Sequence, residues 1–136
     1  MSIFRIREAA DLMGVSDDTL RRWADSGRLP TATDHAGRKV IEGAVLARFA
    51  EELAASTERP EPAPVVSESA RNRFVGLVTR VVRDTVMAQV EIQAGPHRIV
   101  SLMSREAADD LRLEPGVLAV AAVKSTNVVI EIPVHP

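Results

Sequence analysis

A short polar segment, Ser69-Ala70-Arg71-Asn72-Arg73, places a hydroxyl group, a guanidinium group and several backbone amides close together along the chain. These are the hydrogen-bond donors that a small tetrahedral anion requires, and the guanidinium also supplies a compensating positive charge. The segment lies where a proline-broken stretch ends and a run of β-branched residues begins. The sequence therefore predicts an oxyanion-binding element at the entrance to a β-rich domain.

The proline-broken stretch separates two halves of different character. Residues 54–68 contain Pro60, Pro62 and Pro64 and show neither helical nor strand periodicity, which is typical of a semi-rigid tether. We therefore predict an N-terminal domain over residues 1–55, a proline-rich linker over 56–68 and a C-terminal domain over 69–134. Two domains of roughly 55 to 65 residues are each marginal when isolated, which favours association with other copies.

The N-terminal half carries the signals of three short helices. Apolar residues at helical spacing from Ile6 to Met13 predict a first helix that ends at Gly14. Ser16 is a good N-cap for a second helix, in which Trp23 belongs to the buried stripe and not to a base-stacking surface. Two helices joined by such a short turn form a helix-turn-helix. A tight turn between short extended segments is predicted over residues 33–41, and a third helix over residues 45–53.

Five short blocks in the first 55 residues resemble the winged helix-turn-helix of the MerR and excisionase type. The blocks are IREAA at 6–10, GVS at 14–16, TLRRW at 19–23, GRL at 27–29 and GR at 37–38. In that family the second helix enters the major groove of double-stranded DNA and the wing reaches the neighbouring backbone. The resemblance implies contacts from the second helix, the residue just after it and the wing, namely from Thr19, Arg21, Arg22, Arg28, Arg38 and Lys39.

The alternative for these arginines is an ordinary solvated helix face. The net charge of the chain is −2, so an overall basic balance does not argue for DNA binding. If DNA is bound, positive charge must be clustered on one face of the domain.

The C-terminal half is rich in β-branched residues, and turn residues divide it into five predicted strands. A short helix is predicted after the third strand, over Glu106 to Leu111. The predicted strands are 74–82, 85–92, 97–102, 117–123 and 128–132. The predicted fold class is α+β with two domains, a small winged helix-turn-helix followed by an OB-like five-stranded β-barrel.

Residues 69 to about 132 resemble the molybdate-binding Mop or TOBE domain of molbindins and molybdate-responsive regulators. The resemblance is carried by SARN at 69–72, Gly76, LRL at 111–113 with Gly116, and VKS at 123–125. In that family molybdate or tungstate lies between two copies and is held by hydrogen bonds and cationic side chains, without metal coordination by protein side chains. The resemblance implies an oxyanion site formed by Ser69, Arg71, Ser104, Lys124 and Ser125.

Each of these residues also has a purely structural alternative. Ser69 could cap a terminus, Ser104 could be the N-cap of the short helix, and Lys124 could be an exposed turn lysine. Where the regulators often carry a second hydroxyl, three residues after the position of Ser104, this chain has Ala107. That change removes a donor and bears on the choice among molybdate, tungstate and sulfate.

Composition narrows the possible functions. The chain has no cysteine, which excludes disulfides, thiol catalysis and thiolate metal sites, and its three histidines are scattered. We find no nucleophile and base at plausible spacing and no phosphate-binding loop, so we do not expect an enzyme. No apolar run approaches the roughly 18 residues that span a bilayer, and no secretory signal is present, which predicts a cytoplasmic protein.

Together, the two resemblances predict a molybdate- or tungstate-responsive transcriptional regulator. The resemblance implies a homo-oligomer, either a dimer or a hexamer built as a trimer of dimers. The alternative is a molybdate storage or buffering protein whose N-terminal domain is not regulatory.

Overall fold

A computed structural model describes residues 2–57 and 71–134 of the chain. The chain divides into two compact units, residues 1–59 and residues 60–136. The predicted linker lies almost entirely outside the described residues, and so does Ser69. The domain limits at residues 55 and 69 stay predictions, and each unit is described by itself below.

The N-terminal unit combines three helices with a small antiparallel sheet. The strands lie in the order β1-β3-β2, with β3 at the centre. All three predicted helices are present, whereas strand β1 was not predicted. The elements are β1 (Ile3–Arg5), α1 (Ile6–Met13), α2 (Asp17–Asp25), β2 (Ala32–Thr33), β3 (Lys39–Glu42) and α3 (Gly43–Ser56).

Local capping chemistry sets the turn between α1 and α2. Gly14 follows α1 in the left-handed region with φ 69°, where a residue without a Cβ is favoured. Ser16 is the N-cap of α2, and its Oγ accepts a hydrogen bond from the amide of Thr19 at 3.1 Å. The predicted C-cap Gly14 and N-cap Ser16 are both confirmed, and together they define the turn that connects α1 to α2.

The core of this unit lies between the helices and the sheet. Its buried members come from α1, α2, β3, α3 and the loop after α2. Trp23 packs against this core, with its ring centroid 5.2 Å from that of Phe49, which confirms its predicted place in the packing. The buried core residues are Ala9, Ala10, Leu20, Leu29, Ile41, Leu46 and Phe49.

The C-terminal unit is a four-stranded antiparallel sheet with one short helix. The strands lie in the order β6-β5-β4-β7, and β4 changes register between Val78 and Arg80. Its core is made by Val78, Ala88, Val90, Ile92, Ala108 and Leu113. The elements are β4 (Asn72–Arg83), β5 (Met87–Ala94), β6 (His97–Ser104), α4 (Arg105–Asp110), β7 (Leu118–Val123) and a 3₁₀ turn (Ser125–Asn127).

The start of the second strand of this unit differs from the prediction. The strand begins at Met87 and not at Thr85. The Asp84 carboxylate accepts hydrogen bonds from the amides of Val86 at 2.7 Å and Met87 at 2.6 Å, which closes a turn where a strand was expected.

The predicted fifth strand does not form. After the 3₁₀ turn, Val128–Ile132 pairs with no described strand, and Val129, Ile130 and Ile132 are 80–87% exposed. Apolar β-branched residues favour a strand only where a sheet edge gives them hydrogen bonds and burial, and the described residues provide neither for this segment. The sheet of a single chain is therefore open.

No helix among the described residues has the length and apolar character needed to cross a membrane.

Candidate functional site

On the exposed face of α2, the side chains of Ser16, Thr19 and Arg22 form a short hydrogen-bonded chain. The Ser16 hydroxyl donates to Oγ1 of Thr19 at 3.0 Å, and a guanidinium nitrogen of Arg22 donates to the same oxygen at 3.4 Å. The predicted DNA-contacting residues Thr19 and Arg22 therefore lie beside each other. Because the Thr19 oxygen already accepts bonds from two neighbours, its remaining capacity is to donate its proton.

The turn between β2 and β3 is held by Asp34. Its carboxylate accepts hydrogen bonds from the amides of Ala36 and Arg38, both at 2.9 Å, and from Nε of Arg38 at 3.2 Å. The pKa of Asp34 is lowered below its ordinary value, chiefly by the bond from the Arg38 amide. The ionised carboxylate orients Arg38, so this turn presents a fixed cation at the edge of the sheet.

Three of the predicted DNA-contacting residues meet in one basic cleft of about 430 Å³. Arg21 comes from α2, while Arg38 and Lys39 come from the turn and the start of β3. The cleft is also lined by Arg5 and Arg7, at the junction of β1 and α1, which sequence reasoning missed. Arg5 directly precedes the block IREAA at 6–10 and Arg7 lies within it, but no motif assigned a role to either arginine.

Arg28 occupies a different position from the other predicted contacts. Its guanidinium carbon lies 5.7 Å from the centroid of the Trp23 ring and 5.6 Å from that of Phe49. Both distances are within the range of cation–π attraction, so the side chain covers the edge of the aromatic core. The DNA contact of Arg28 stays a prediction, and this residue does not line the basic cleft.

In the C-terminal unit, strand pairing brings three predicted oxyanion-binding residues together. Asn72 pairs with Val123 in the β4–β7 ladder, and its side-chain amide donates to the Val123 carbonyl at 3.2 Å. Arg71 and Lys124 are the next residues on the two strands, so they lie at the same end of the sheet, with Ser125 following. Within the described residues, neither cation has an ion-pair partner, and all three residues are exposed.

Ser104 lies at the other end of this sheet. It pairs with Met87, while the opposite end of β4 carries Asn72 and Arg71. The twelve residues of β4 span on the order of 35 Å along the strand. The fold therefore does not bring Ser104 to Arg71 within a single chain.

Ser104 has the structural role that was the alternative at this position. It is the N-cap of α4, and its Oγ accepts a hydrogen bond from the amide of Ala107 at 3.1 Å. An N-cap uses the hydroxyl as an acceptor, so its proton is still available to a ligand. The open cleft beside it is lined by Glu106, Asp109 and Asp110 and also by Arg105, and Asp109 is ion-paired with Arg83 and Arg105. The carboxylates still outnumber the cations, and this net negative charge alone would disfavour a dianion.

Two family models match the chain. Residues 3–54 match a helix-turn-helix domain family, and residues 68–130 match the TOBE domain family.

Similar proteins are found for the C-terminal half. The molybdenum-pterin-binding protein 3 of Clostridium pasteurianum is 36% identical over 66 residues, which are 48% of this chain and 97% of that protein. The molybdenum transport protein ModE of Herbaspirillum seropedicae is 40% identical over 63 residues, which are 46% of this chain but 23% of that protein. A solved molybdate-binding protein from Sporomusa ovata is 28% identical with a TM-score of 0.48, over 49% of this chain and 100% of the other.

Proposed function

Because the chain belongs, through its C-terminal half, to the family of the molybdenum-pterin-binding proteins, we propose that it is an oligomeric regulator that responds to molybdate or tungstate. Its N-terminal unit binds double-stranded DNA, and its C-terminal unit binds the oxyanion between two copies. The proposal describes a cytoplasmic binding protein and not an enzyme. It is supported by the presence of a helix-turn-helix domain and a TOBE domain in one chain.

The observation that carries the oxyanion part is the pair of cations at one end of the sheet. A tetrahedral dianion leaves water only where positive charge and several donors replace its hydration. The β4–β7 register supplies two exposed cations, Arg71 and Lys124, with the Ser125 amide and hydroxyl beside them. Ser69, which the sequence predicts for the same site, lies outside the described residues.

The position of Ser104 supports a site shared between copies. Its hydroxyl is at the opposite end of the sheet from Arg71, in a cleft where three carboxylates face one arginine, Arg105. The cations of a second copy would balance that negative charge and place the anion between the two chains. Exposed apolar side chains on the paired strands, Leu77 at 51% and Leu118 at 68%, support association because large exposed apolar groups mark interfaces.

Calorimetric titration with molybdate, tungstate and sulfate tests the oxyanion site. Hydrogen bonds to charged groups contribute about 1.5–3 kcal/mol, so Arg71→Ala and Lys124→Ala should each weaken molybdate binding roughly 10- to 100-fold. Arg80→Ala, an exposed arginine elsewhere on β4, is the matched control and should bind as the wild type does. Unchanged binding in both test variants would refute the assignment of the site.

A mixing experiment tests whether two copies share the site. Ser104→Asp keeps an N-cap acceptor but replaces the donated proton with a negative charge, so this variant should fold and bind no molybdate. Refolding it together with Arg71→Ala should restore binding, because some mixed assemblies then contain a site with both original residues. If the mixture binds no better than the two separate variants, Arg71 and Ser104 do not belong to one shared site.

The DNA-binding part is tested with duplex DNA at fixed salt, with and without molybdate. Coupling requires the anion to favour one arrangement of the copies over another, and the DNA affinity then changes when molybdate is added. Equal affinities would remove the sensing role and leave a DNA-binding protein.

Storage or buffering of molybdate is the second candidate. The clostridial relative favours this function, because the C-terminal half of this chain matches 97% of that protein, which leaves no room in it for a helix-turn-helix domain. Molybdate binding in a chain that binds no DNA would favour this function.

A further inference from the structure

The basic cleft of the N-terminal unit extends beyond the second helix and the β2–β3 turn. Two of its cations, Arg5 and Arg7, lie at the junction of β1 and α1. Asp25 is the one acidic side chain among the described residues that line it, so five cations face a single carboxylate. In a chain with a net charge of −2, such a cleft is a local concentration of positive charge.

The cations of the cleft differ in how far they are neutralised. Nζ of Lys39 lies 2.8 Å from the Asp25 carboxylate, and Arg38 is paired with Asp34. Arg5, Arg7 and Arg21 form no ion pair with another described residue. All three are exposed, so their charges are available to a partner.

Main-chain pairing fixes Arg5 relative to the turn that carries Arg38 and Lys39. Arg5 pairs with Val40 in the β1–β3 ladder, directly after Lys39. Arg7 follows in the first turn of α1. The Glu8 carboxylate accepts a hydrogen bond from the Arg5 amide at 3.4 Å and so caps the start of α1.

The chemistry of the cleft fits a polyanion better than a free small anion. Unlike a site closed between two copies, a cleft that stays open to solvent gives a small anion little binding energy, because water competes and the charges are screened. A nucleic-acid backbone gains from each neutralised phosphate, since condensed counterions are released into solution. A row of free arginines beside the second helix of a helix-turn-helix therefore fits the phosphates of a DNA duplex.

We propose that Arg5 and Arg7 bind backbone phosphates of the duplex that α2 contacts, so that the β1–α1 junction is part of the DNA interface. This inference rests on the proposed DNA binding. It adds two contacts that lie outside both the second helix and the wing. These contacts position the protein on DNA and carry no sequence preference.

The test measures binding of the full chain to a fluorescent random-sequence duplex as a function of KCl concentration. Each lost phosphate contact lowers the salt slope by about 0.9 and weakens binding roughly 5- to 10-fold near 0.1 M salt. Arg5→Gln and Arg7→Gln should each show both effects, and Arg7→Lys, which keeps the charge, should retain the wild-type slope. Arg48→Gln, an exposed arginine of α3 that does not line the cleft, is the matched control and should match the wild type.

The outcomes separate this inference from the proposed function. If Arg21→Gln weakens binding but Arg5→Gln and Arg7→Gln do not, DNA is bound without the β1–α1 junction and the inference is wrong. If Arg48→Gln has the same effect as Arg5→Gln, the cleft has no special role and the inference is also wrong. If the wild type binds no duplex, both the inference and the proposed DNA binding fail. Thermal unfolding followed by Trp23 fluorescence checks that each variant is folded.

Discussion

Replacing Gly76 with alanine tests the packing of the C-terminal unit. A Cβ on Gly76 would lie 2.4 Å from the carbonyl oxygen of Gln93 and 2.8 Å from Cγ2 of Ile92. An unstrained carbon–oxygen contact is at least about 3.3 Å, so β4 and β5 would have to separate by about 0.9 Å. The obstructing oxygen belongs to the backbone, so no side-chain rotation relieves the contact.

The expected cost follows from two opposing effects. Overpacking costs about 1–3 kcal/mol, whereas replacing glycine stabilises by about 0.4–1 kcal/mol through the unfolded chain. The clash is with backbone, which cannot rotate away, so we expect a net loss of about 2 kcal/mol. For a unit of this size that corresponds to a lowering of the unfolding midpoint by roughly 8–16 °C.

The two units allow an assay with an internal reference. Trp23 is the one tryptophan of the chain and packs in the core of the N-terminal unit, so its fluorescence follows the unfolding of that unit. Far-UV circular dichroism at fixed protein concentration follows both units. In Gly76→Ala the β-sheet transition should move to lower temperature, while the Trp23 transition keeps its midpoint because the two cores share no residue.

The control for this variant is Gly95→Asn, in the turn between β5 and β6. Gly95 has φ 57° with no atom within 4 Å of a built Cβ, and asparagine tolerates this conformation. A Gly76→Ala protein with the wild-type β-sheet transition would refute the steric reasoning. A shift of the Trp23 transition by the same amount would refute the independence of the two cores.

Two further predictions concern the same unit. Arg112 follows α4 with φ 54°, a left-handed conformation that is unfavourable for a residue with a Cβ. Arg112→Gly should therefore raise the free energy of unfolding of this unit by about 0.5–1 kcal/mol, measured by thermal unfolding. A lower unfolding midpoint would contradict this, because the arginine side chain would then stabilise the unit by more than the backbone strain destabilises it. The amides of Met87 and Val86 donate to the Asp84 carboxylate and hold its pKa below the ordinary 3.8. The ionised carboxylate therefore stabilises the folded unit at pH values above 3.8, and this stabilisation is lost as the pH falls through the lower pKa of the folded state. Urea unfolding between about pH 5 and 2 should therefore show a steeper loss of stability in the wild type than in Asp84→Asn, and parallel curves would contradict this.

The helices of the N-terminal unit could be predicted because their signals are local. Apolar spacing sets α1, the left-handed Gly14 ends it, and Ser16 begins α2 through a bond to a residue three positions away. Strand β1 has three residues, too few to show a period, and it forms because Ile3 pairs with Glu42 far along the chain. The position of Arg5 in the cleft depends on that pairing, whereas Arg21 lies on the predicted helix α2. Sequence reasoning therefore found Arg21 and missed Arg5.

The fifth strand of the C-terminal unit shows the opposite error. Residues 128–132 have the composition of a strand, but a strand also needs a free edge within reach. After the 3₁₀ turn at Ser125–Asn127 the chain pairs with no described strand. Composition indicates what a segment prefers, whereas pairing depends on where the other strands end.

The residues of the proposed oxyanion site were chosen from the sequence and stay a prediction, whereas their arrangement could not be predicted from it. Arg71 and Lys124 are 53 positions apart, and the β4–β7 register alone places them side by side. The same sheet carries Ser104 at its far end, where it caps α4 among carboxylates. A single pocket formed by all of these residues would require the sheet to bring both ends together, whereas a site shared by two chains requires only that the cationic end of one chain meets the hydroxyl end of another. Under the proposed function, the register of β4 is therefore an argument for assembly, because each chain would hold the two parts of the proposed site at different places.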